Sequence, residues 1–354
     1  MKKLYVMGAS GSGKTTVSLG LAMHLCSKGY KVKYFKPIGY SPWPTQKEDE
    51  DGLLLKDVLQ TSCDLSSIVP VNVGPMYLSG RENKEDYRKA VFEAFDRIKN
   101  EDDADVLIVG GSTSPYILAS QGLDCISLAS EFEASVLLTS VLKDDFSFDQ
   151  TFFFNKHLEA LDIPVLGNIF NNTPLATYEK TKGIHKVKME EEGYNVLGII
   201  PAMSELTSPT VNECLDVLGG ELLVGKDNLD KRVEDIVVGT MTIESGLKYL
   251  RRSTNKALII GGDRSDLALT ALETSTSVLI LTGGLYPNVK VLSQAEEKNV
   301  PVILVHYDTY TTVEKLHDVS TRIKPGNKES MELARDNIKT YCDLDILWDY
   351  LGEN

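Results

Sequence analysis

Near the start of the chain, Gly8, Gly13, Lys14 and Thr15 stand at the spacing G-x-x-x-x-G-K-[ST] within the run Gly8-Ala9-Ser10-Gly11-Ser12-Gly13-Lys14-Thr15-Thr16. The chemistry such a run supports is capture of a triphosphate. Glycines let the backbone curl so that successive N–H groups, from Gly8 through Ser10, Gly11, Ser12 and Gly13 to Thr16, turn inward toward phosphate oxygens. A helix beginning behind the loop adds the positive end of its dipole. The ammonium of Lys14 reaches the terminal phosphates, and the hydroxyl of Thr15 is of the kind that ligates Mg²⁺. ATP and Mg²⁺ are the expected ligands. The alternative is a glycine-rich turn that holds nothing.

Three further charged residues bear on that chemistry. Lys36, in Tyr34-Phe35-Lys36-Pro37-Ile38-Gly39, ends a second apolar run. If that run is a strand of a parallel sheet, Lys36 lies on the same carboxyl edge as the glycine loop. There it can approach a γ-phosphate or an anionic substrate, making it, with Lys14, a candidate catalytic residue; otherwise it is a surface lysine fixed in a turn by Pro37. Asp49 and Asp51 precede Leu53-Leu54-Leu55. One of them can enter the octahedral oxygen shell of Mg²⁺, or both serve only as acids at a helix start. In the second half of the chain, Asp263, Arg264 and Asp266 follow one apolar run and Thr282, Gly283 and Gly284 follow the next. They would share a rim where Arg264 is a fork donor and the two glycines offer bare N–H groups to a small polar or anionic ligand; the competing reading is an internal Asp–Arg ion pair joining two loops.

The elements that must position these residues alternate along the chain. Short apolar, β-branched runs at 4–7, 32–35, 106–109, 136–139, 165–169 and 196–200 read as strands, with helices at 14–28 and 84–99. A second series has strands at 257–260, 278–281 and 300–305 and helices at 211–218, 243–250, 267–273 and 289–298. The pattern is α/β throughout. It predicts a doubly wound, mostly parallel sheet of the P-loop NTPase type over 1–210, a smaller α/β domain over 211–328, and a helical tail over 329–354 in which Trp348, Tyr350 and Leu351 are available to dock on the body. The runs Asp49-Glu50-Asp51 and Glu101-Asp102-Asp103 read as solvated loops or helix ends.

Composition narrows the function. With 354 residues, 42% hydrophobic and 25% charged, the chain is long enough for two cores and has ordinary globular composition. A net charge of −14 opposes a phosphate backbone, so nucleic acid is not an expected partner. No apolar stretch approaches a membrane span, and the apolar run behind Met1-Lys2-Lys3 meets a glycine loop before it can form a secretory signal. A cytoplasmic location is expected. The five cysteines show no CxxC spacing and the five histidines are dispersed, so no zinc site is expected.

Taken together, Gly8 to Thr16, Lys36-Pro37-Ile38-Gly39 and the Asp49/Asp51 pair resemble the dethiobiotin synthetase-like P-loop domain, in the version found at the N-terminus of long bacterial phosphotransacetylases. The resemblance covers roughly residues 1 to 210. It implies that Asn171, closing Leu166-Gly167-Asn168-Ile169-Phe170-Asn171, contacts an adenine base, and that Pro201, closing Gly198-Ile199-Ile200-Pro201, belongs to the same nucleotide site. It also implies a homodimer. Two departures stand out: Gly110-Gly111-Ser112 replaces a Glu-Gly pair, and Ala202 stands where relatives often carry an acid. Loss of a carboxylate near Mg²⁺ predicts binding with slow turnover. Asp263-Arg264-Ser265, Thr282-Gly283-Gly284 and Asp308-Thr309 resemble the DRTGG domain over roughly 215 to 325, with Ser265 in place of a common Thr. That resemblance implies a regulatory architecture rather than a reaction.

The favoured expectation is a regulatory protein that couples ATP and Mg²⁺ at the first domain to a small molecule or protein partner at the second. The alternative is an ATP-dependent ligase or phosphotransferase acting on a small carboxylate. A third reading is a scaffold that holds nucleotide only for stability. The acetyl-transfer domain and activity of a phosphotransacetylase are not expected.

Overall fold

The computed structural model describes residues 1–41, 48–79, 84–100, 104–203, 206, 208–317 and 323–352. The acidic run 101–103 lies outside these. The chain divides into two compact units, Met1–Ala202 with Ile323–Asn354, and Met203–Arg322.

The first unit runs β1 (Lys2–Gly8), α1 (Lys14–Ser27), β2 (Val32–Phe35), β3 (Ile38–Tyr40), α2 (Glu50–Val58), α3 (Leu65–Ile68), β4 (Val71–Val73), α4 (Lys84–Asn100), β5 (Val106–Gly110), α5 (Cys125–Glu131), β6 (Ser135–Ser140), α6 (Asp145–Ala160), β7 (Val165–Thr173), α7 (Leu175–Lys180), α8 (Lys186–Glu191) and β8 (Val196–Pro201). Six strands form one parallel sheet in the order β2-β5-β1-β6-β7-β8, and β3 pairs with β4 in a separate parallel ribbon. Alternation along the central strands feeds both faces. Leu4, Val6, Val106 and Ile108 enter one apolar cluster, and Tyr5, Met7, Leu107 and Val109 the other. That is why these strands read as unbroken apolar runs. From β1 the chain turns toward β2 on one side and, after β5, toward β6 on the other. The loop after β1 therefore opens at a topological switch point, the crevice where open α/β sheets bind ligands.

The second unit contains α9 (Val211–Leu218), β9 (Glu221–Val224), β10 (Asp235–Val238), α10 (Ile243–Leu250), β11 (Lys256–Gly261), α11 (Ser265–Leu272), β12 (Thr276–Thr282), α12 (Val289–Glu297), β13 (Val302–Leu304) and α13 (Thr309–His317). Its sheet order is β10-β11-β12-β13-β9, with β9 antiparallel to β13 and the other pairs parallel. Thr210 caps α9 through a reciprocal bond with Glu213, and Gly219 closes it at positive φ. No helix among the described residues is long and apolar enough to cross a membrane.

The chain ends with α14 (Lys328–Tyr341) and α15 (Asp345–Leu351), which join the first unit. Met331, Ala334 and Ile338 enter the core cluster that α1 supplies. The Trp348 ring lies 5.8 Å from that of His24 and 6.2 Å from that of Tyr30, and the Tyr350 hydroxyl donates to Lys3 O at 3.0 Å. Asp343 N donates to Leu197 O at 2.6 Å beside β8. The segment read as a tail is thus part of the first unit's core. Gly20 marks the closest approach, because a Cβ there would meet Ala334 O at 2.5 Å and Ile338 Cγ1 at 2.7 Å. Gly20→Ala is expected to destabilise the protein by about 1–3 kcal/mol despite its better helix propensity, as measured by urea unfolding.

Candidate functional site

Every strand of the large sheet delivers its carboxyl end to one edge, and the loop between β1 and α1 sits at its middle. Gly11 and Gly13 adopt left-handed backbone, with φ of +73° and +79°. At Gly13 a Cβ would overlap Asn171 Nδ2. The loop is held from below: Ser12 Oγ bonds Thr139 Oγ1 at 2.8 Å, and Asn171 Nδ2 donates to Ser12 O at 3.1 Å. Asn171 therefore braces the loop, beyond the base contact that the family resemblance implies. The first turn of α1, which carries Lys14, Thr15 and Thr16, contains no acidic residue, so the helix's positive end is not neutralised locally.

Lys14 folds back over the loop. Its Nζ donates to Gly8 O (3.1 Å), Ala9 O (2.9 Å) and Thr113 O (3.1 Å), and makes no ion pair among the described residues. Burial lowers its pKa to about 8, against smaller raising effects from Cys125 and Asp51. Lys14 Nζ is thus a largely buried ammonium whose hydrogen-bond partners are all carbonyl oxygens, with Asp51 acting on it from further away. The sign of its pH effect follows. The folded protein holds this proton less tightly than the unfolded chain, so without ligand its stability rises between pH 8 and 10.5. The rise is at most roughly 3 kcal/mol. Lys14→Met is expected to lack that rise in urea unfolding, and a bound polyphosphate to suppress it.

Lys36, Asp49 and Asp51 converge. Lys36 Nζ lies 2.7 Å from Asp49 Oδ2 and 2.6 Å from Asp51 Oδ2, and its side chain is 5% exposed. Burial opposes its charge, but Asp51 and then Asp49 outweigh burial and raise its pKa. The turn at Pro37 thus aims Lys36 inward, not out to solvent. Asp49 also caps α2, its Oδ1 accepting from Gly52 N at 2.9 Å. Asp49 is thus an acid at a helix start and, in addition, a partner of Lys36, a pairing that neither reading of it included. No group of three His, Cys, Asp or Glu among the described residues can hold a metal by itself. The Thr15 hydroxyl and the two carboxylates are oxygen donors of the kind Mg²⁺ takes, and both carboxylates are engaged by Lys36.

Beside the loop lies a hollow of about 270 Å³ lined by Ala9, Gly11, Lys143, Ser147 and Asn172, among others. Asn172 Oδ1 is buried there without a hydrogen-bond partner, on a residue at φ +49°. Sequence reading passed over Lys143, Thr139, Asn172 and the Thr113 carbonyl. Their one signal was position just beyond, or at the end of, a strand on the loop's edge. Pro201 ends β8 on that edge. After β5, Gly111 N donates to Val6 O at 2.8 Å, and the Ser112 hydroxyl donates to Ser114 O at 2.7 Å. That segment presents the Thr113 carbonyl to Lys14, not a carboxylate.

In the second unit the expected rim is largely self-satisfied. Gly283 N donates to Tyr307 O at 2.8 Å and Gly284 N to Val305 O at 2.9 Å, so these amides are not bare. They are spent joining the loop after β12 to the loop after β13. Arg264 lies 3.6 Å from Asp266 and donates to Met241 O at 3.0 Å. Thr282 Oγ1 bonds Thr309 Oγ1 at 3.2 Å. Asp263 is exposed. The Arg264–Asp266 contact lies within a single turn and is partly exposed, so it does not join two loops as the competing reading had it; backbone bonds of Gly283 and Gly284 join them.

Comparison with known proteins bears on both units. The family model described as "AAA domain" matches residues 2–210, and that described as "DRTGG domain" matches residues 213–319. Phosphate acetyltransferase of Pseudomonas putida is 23% identical over 96% of this chain and 50% of its own length. Phosphate acetyltransferase of Nitratidesulfovibrio vulgaris is 28% identical over 52% of this chain and 28% of its own. The ATP-dependent dethiobiotin synthetase of Bacillus subtilis is 26% identical over 60% of this chain and 92% of its own. The chain spans about half the length, or less, of the phosphate acetyltransferases it matches.

Proposed function

The chain belongs to the AAA-domain family, in its dethiobiotin synthetase-like P-loop branch, and carries a DRTGG domain behind it; from that premise we propose that it binds ATP with Mg²⁺ in a regulatory capacity. The observation that carries this reading is Lys14, an ammonium surrounded by three carbonyl oxygens and no carboxylate at the positive end of α1. The triphosphate would lie in the curl of Ser10 to Thr16, with Lys14 on its terminal oxygens. Mg²⁺, where bound, would supply positive charge against the phosphate oxygens. Thr15 and one of Asp49 and Asp51 would hold it, and the other acid would keep Lys36 charged and fixed in place. Asn171 and Pro201 would border the base.

The regulatory part rests on the segment after β5. Gly110, Gly111 and Ser112 bring no acid to the metal side, so the charge that would speed phosphoryl transfer is missing there. The second unit, with its rim turned inward on itself, would take a partner through surfaces other than the two glycine amides. The ligase reading is favoured by one fact, the 92% of the B. subtilis dethiobiotin synthetase that aligns.

One experiment separates the readings. ATP with Mg²⁺ should raise the thermal midpoint as expected for a ligand of the native state, inorganic triphosphate should compete, and ADP should not accumulate during hours of incubation. ADP release dependent on one added small carboxylate, and lost in Lys36→Ala, would establish the ligase instead. No shift with ATP would end both.

A further inference from the structure

Away from the P-loop, the outer edge of β2 borders a hollow of about 430 Å³, the largest cavity described above or here. Its floor is apolar: Tyr34, Ile68 and Ile98 line it, and all three are buried. Three lysines also line it, Lys31 just before β2, Lys33 within it and Lys56 from the last turn of α2. Among the described residues, no acidic one lines it. None of the three ammonium groups makes an ion pair among the described residues; Lys33 Nζ donates to Ile98 O at 3.1 Å. Asp105, nearby, uses Oδ2 to accept the backbone N–H of Lys31 at 2.8 Å.

The strand adds a polar wall. β2 is an edge strand, and Lys36 N points away from the sheet to Ile68 O at 2.8 Å. Alternation directs the backbone groups of Val32 and Tyr34 to the same outer side, and both residues line the hollow. The Val32 amide is taken by the Cys26 thiol, so an apolar floor, three lysines and the edge-strand backbone of Tyr34 are the parts of a small-molecule site that recognises one charge at the end of an apolar body.

We propose that this hollow is a binding site for a small amphiphilic anion, its apolar body on Tyr34, Ile68 and Ile98 and its anionic group among Lys31, Lys33 and Lys56. The site shares no residue with the loop at 8 to 16, so it stands or falls apart from the nucleotide reading.

The test uses the full chain and two fluorescent probes of nearly the same shape, anilinonaphthalene sulfonate and the uncharged phenylnaphthylamine. The sulfonate is expected to bind saturably and at least about tenfold more tightly than the neutral probe, a difference of about 1.4 kcal/mol, and to weaken with added salt. In K31Q/K33Q/K56Q its affinity should fall to that of the neutral probe, while Lys14→Ala leaves it unchanged. Equal binding of the two probes to the wild-type chain would overturn the proposal without any variant, since the lysines' charge would then already be answered by the protein. Sulfonate binding that survives in the triple variant, or is lost in Lys14→Ala, would overturn it as well by placing the probe elsewhere.

Discussion

Lys14→Ala is expected to bind ATP·Mg²⁺ at least about a hundredfold more weakly than wild type, while remaining no less stable to urea at pH 7 when no ligand is present. The affinity loss corresponds to about 2.7 kcal/mol, within reach of one or two charge-assisted hydrogen bonds to phosphate oxygens. The stability expectation has a separate cause. In the ligand-free protein the ammonium is buried among carbonyls, with a pKa lowered to about 8. Removing it forfeits three hydrogen bonds but also a desolvation cost of comparable size. Loss of binding with intact stability is therefore the signature of a residue kept for its ligand. Calorimetric titration and urea unfolding on the same preparation check both halves. Equal losses of both would make Lys14 a structural brace of the loop.

The second large effect lies at Lys36 and runs the other way. Lys36→Met leaves Asp49, 4% exposed, and Asp51, 20% exposed, facing each other without their shared ammonium. Breaking a buried pair by removing one partner costs about 3–5 kcal/mol, because a charge stays buried uncompensated. The variant K36M/D49N/D51N should recover much of that loss, although Asn at position 49 must still cap α2 through its side-chain oxygen. Urea unfolding of the single and triple variants measures the difference. A loss under about 1 kcal/mol in Lys36→Met would mean that the cluster is solvated and the three charges are not closed on each other.

How far the sequence reaches can be judged element by element. The first sheet was legible because its strands are apolar on both faces and are separated by helices, a pattern few other structures produce. The loop at 8 to 16 was legible because glycine, lysine and threonine at that spacing serve one geometry. Edge placement of Lys36 followed from strand direction alone. What did not follow was its pairing with Asp49 and Asp51: three charges 13 and 15 residues apart meet only once α2 is laid beside β2. β9 escaped notice because its four residues are only partly buried and pair antiparallel with β13, some eighty positions on. β10 escaped it as a short edge strand. The closing helices were seen as helices, but their berth on α1 depends on Gly20, which in the sequence is one glycine inside a helical stretch. The two glycines at 283 and 284 misled for a related reason. Positive φ is visible in composition, whereas the carbonyl that takes each N–H belongs to the loop after β13.

The claim on which the functional account turns is that Lys14 waits for a polyphosphate. Titration calorimetry of the wild-type chain with ATP·Mg²⁺ at about pH 9, repeated in two buffers of different ionisation heat, tests it directly. At that pH much of Lys14 is neutral in the ligand-free protein, so binding must draw a proton from the buffer to restore the ammonium, and the observed heat should differ between buffers by a corresponding amount. Saturable binding with net proton uptake, abolished in Lys14→Ala, is the predicted result. No binding, or binding whose heat is the same in both buffers, would contradict it.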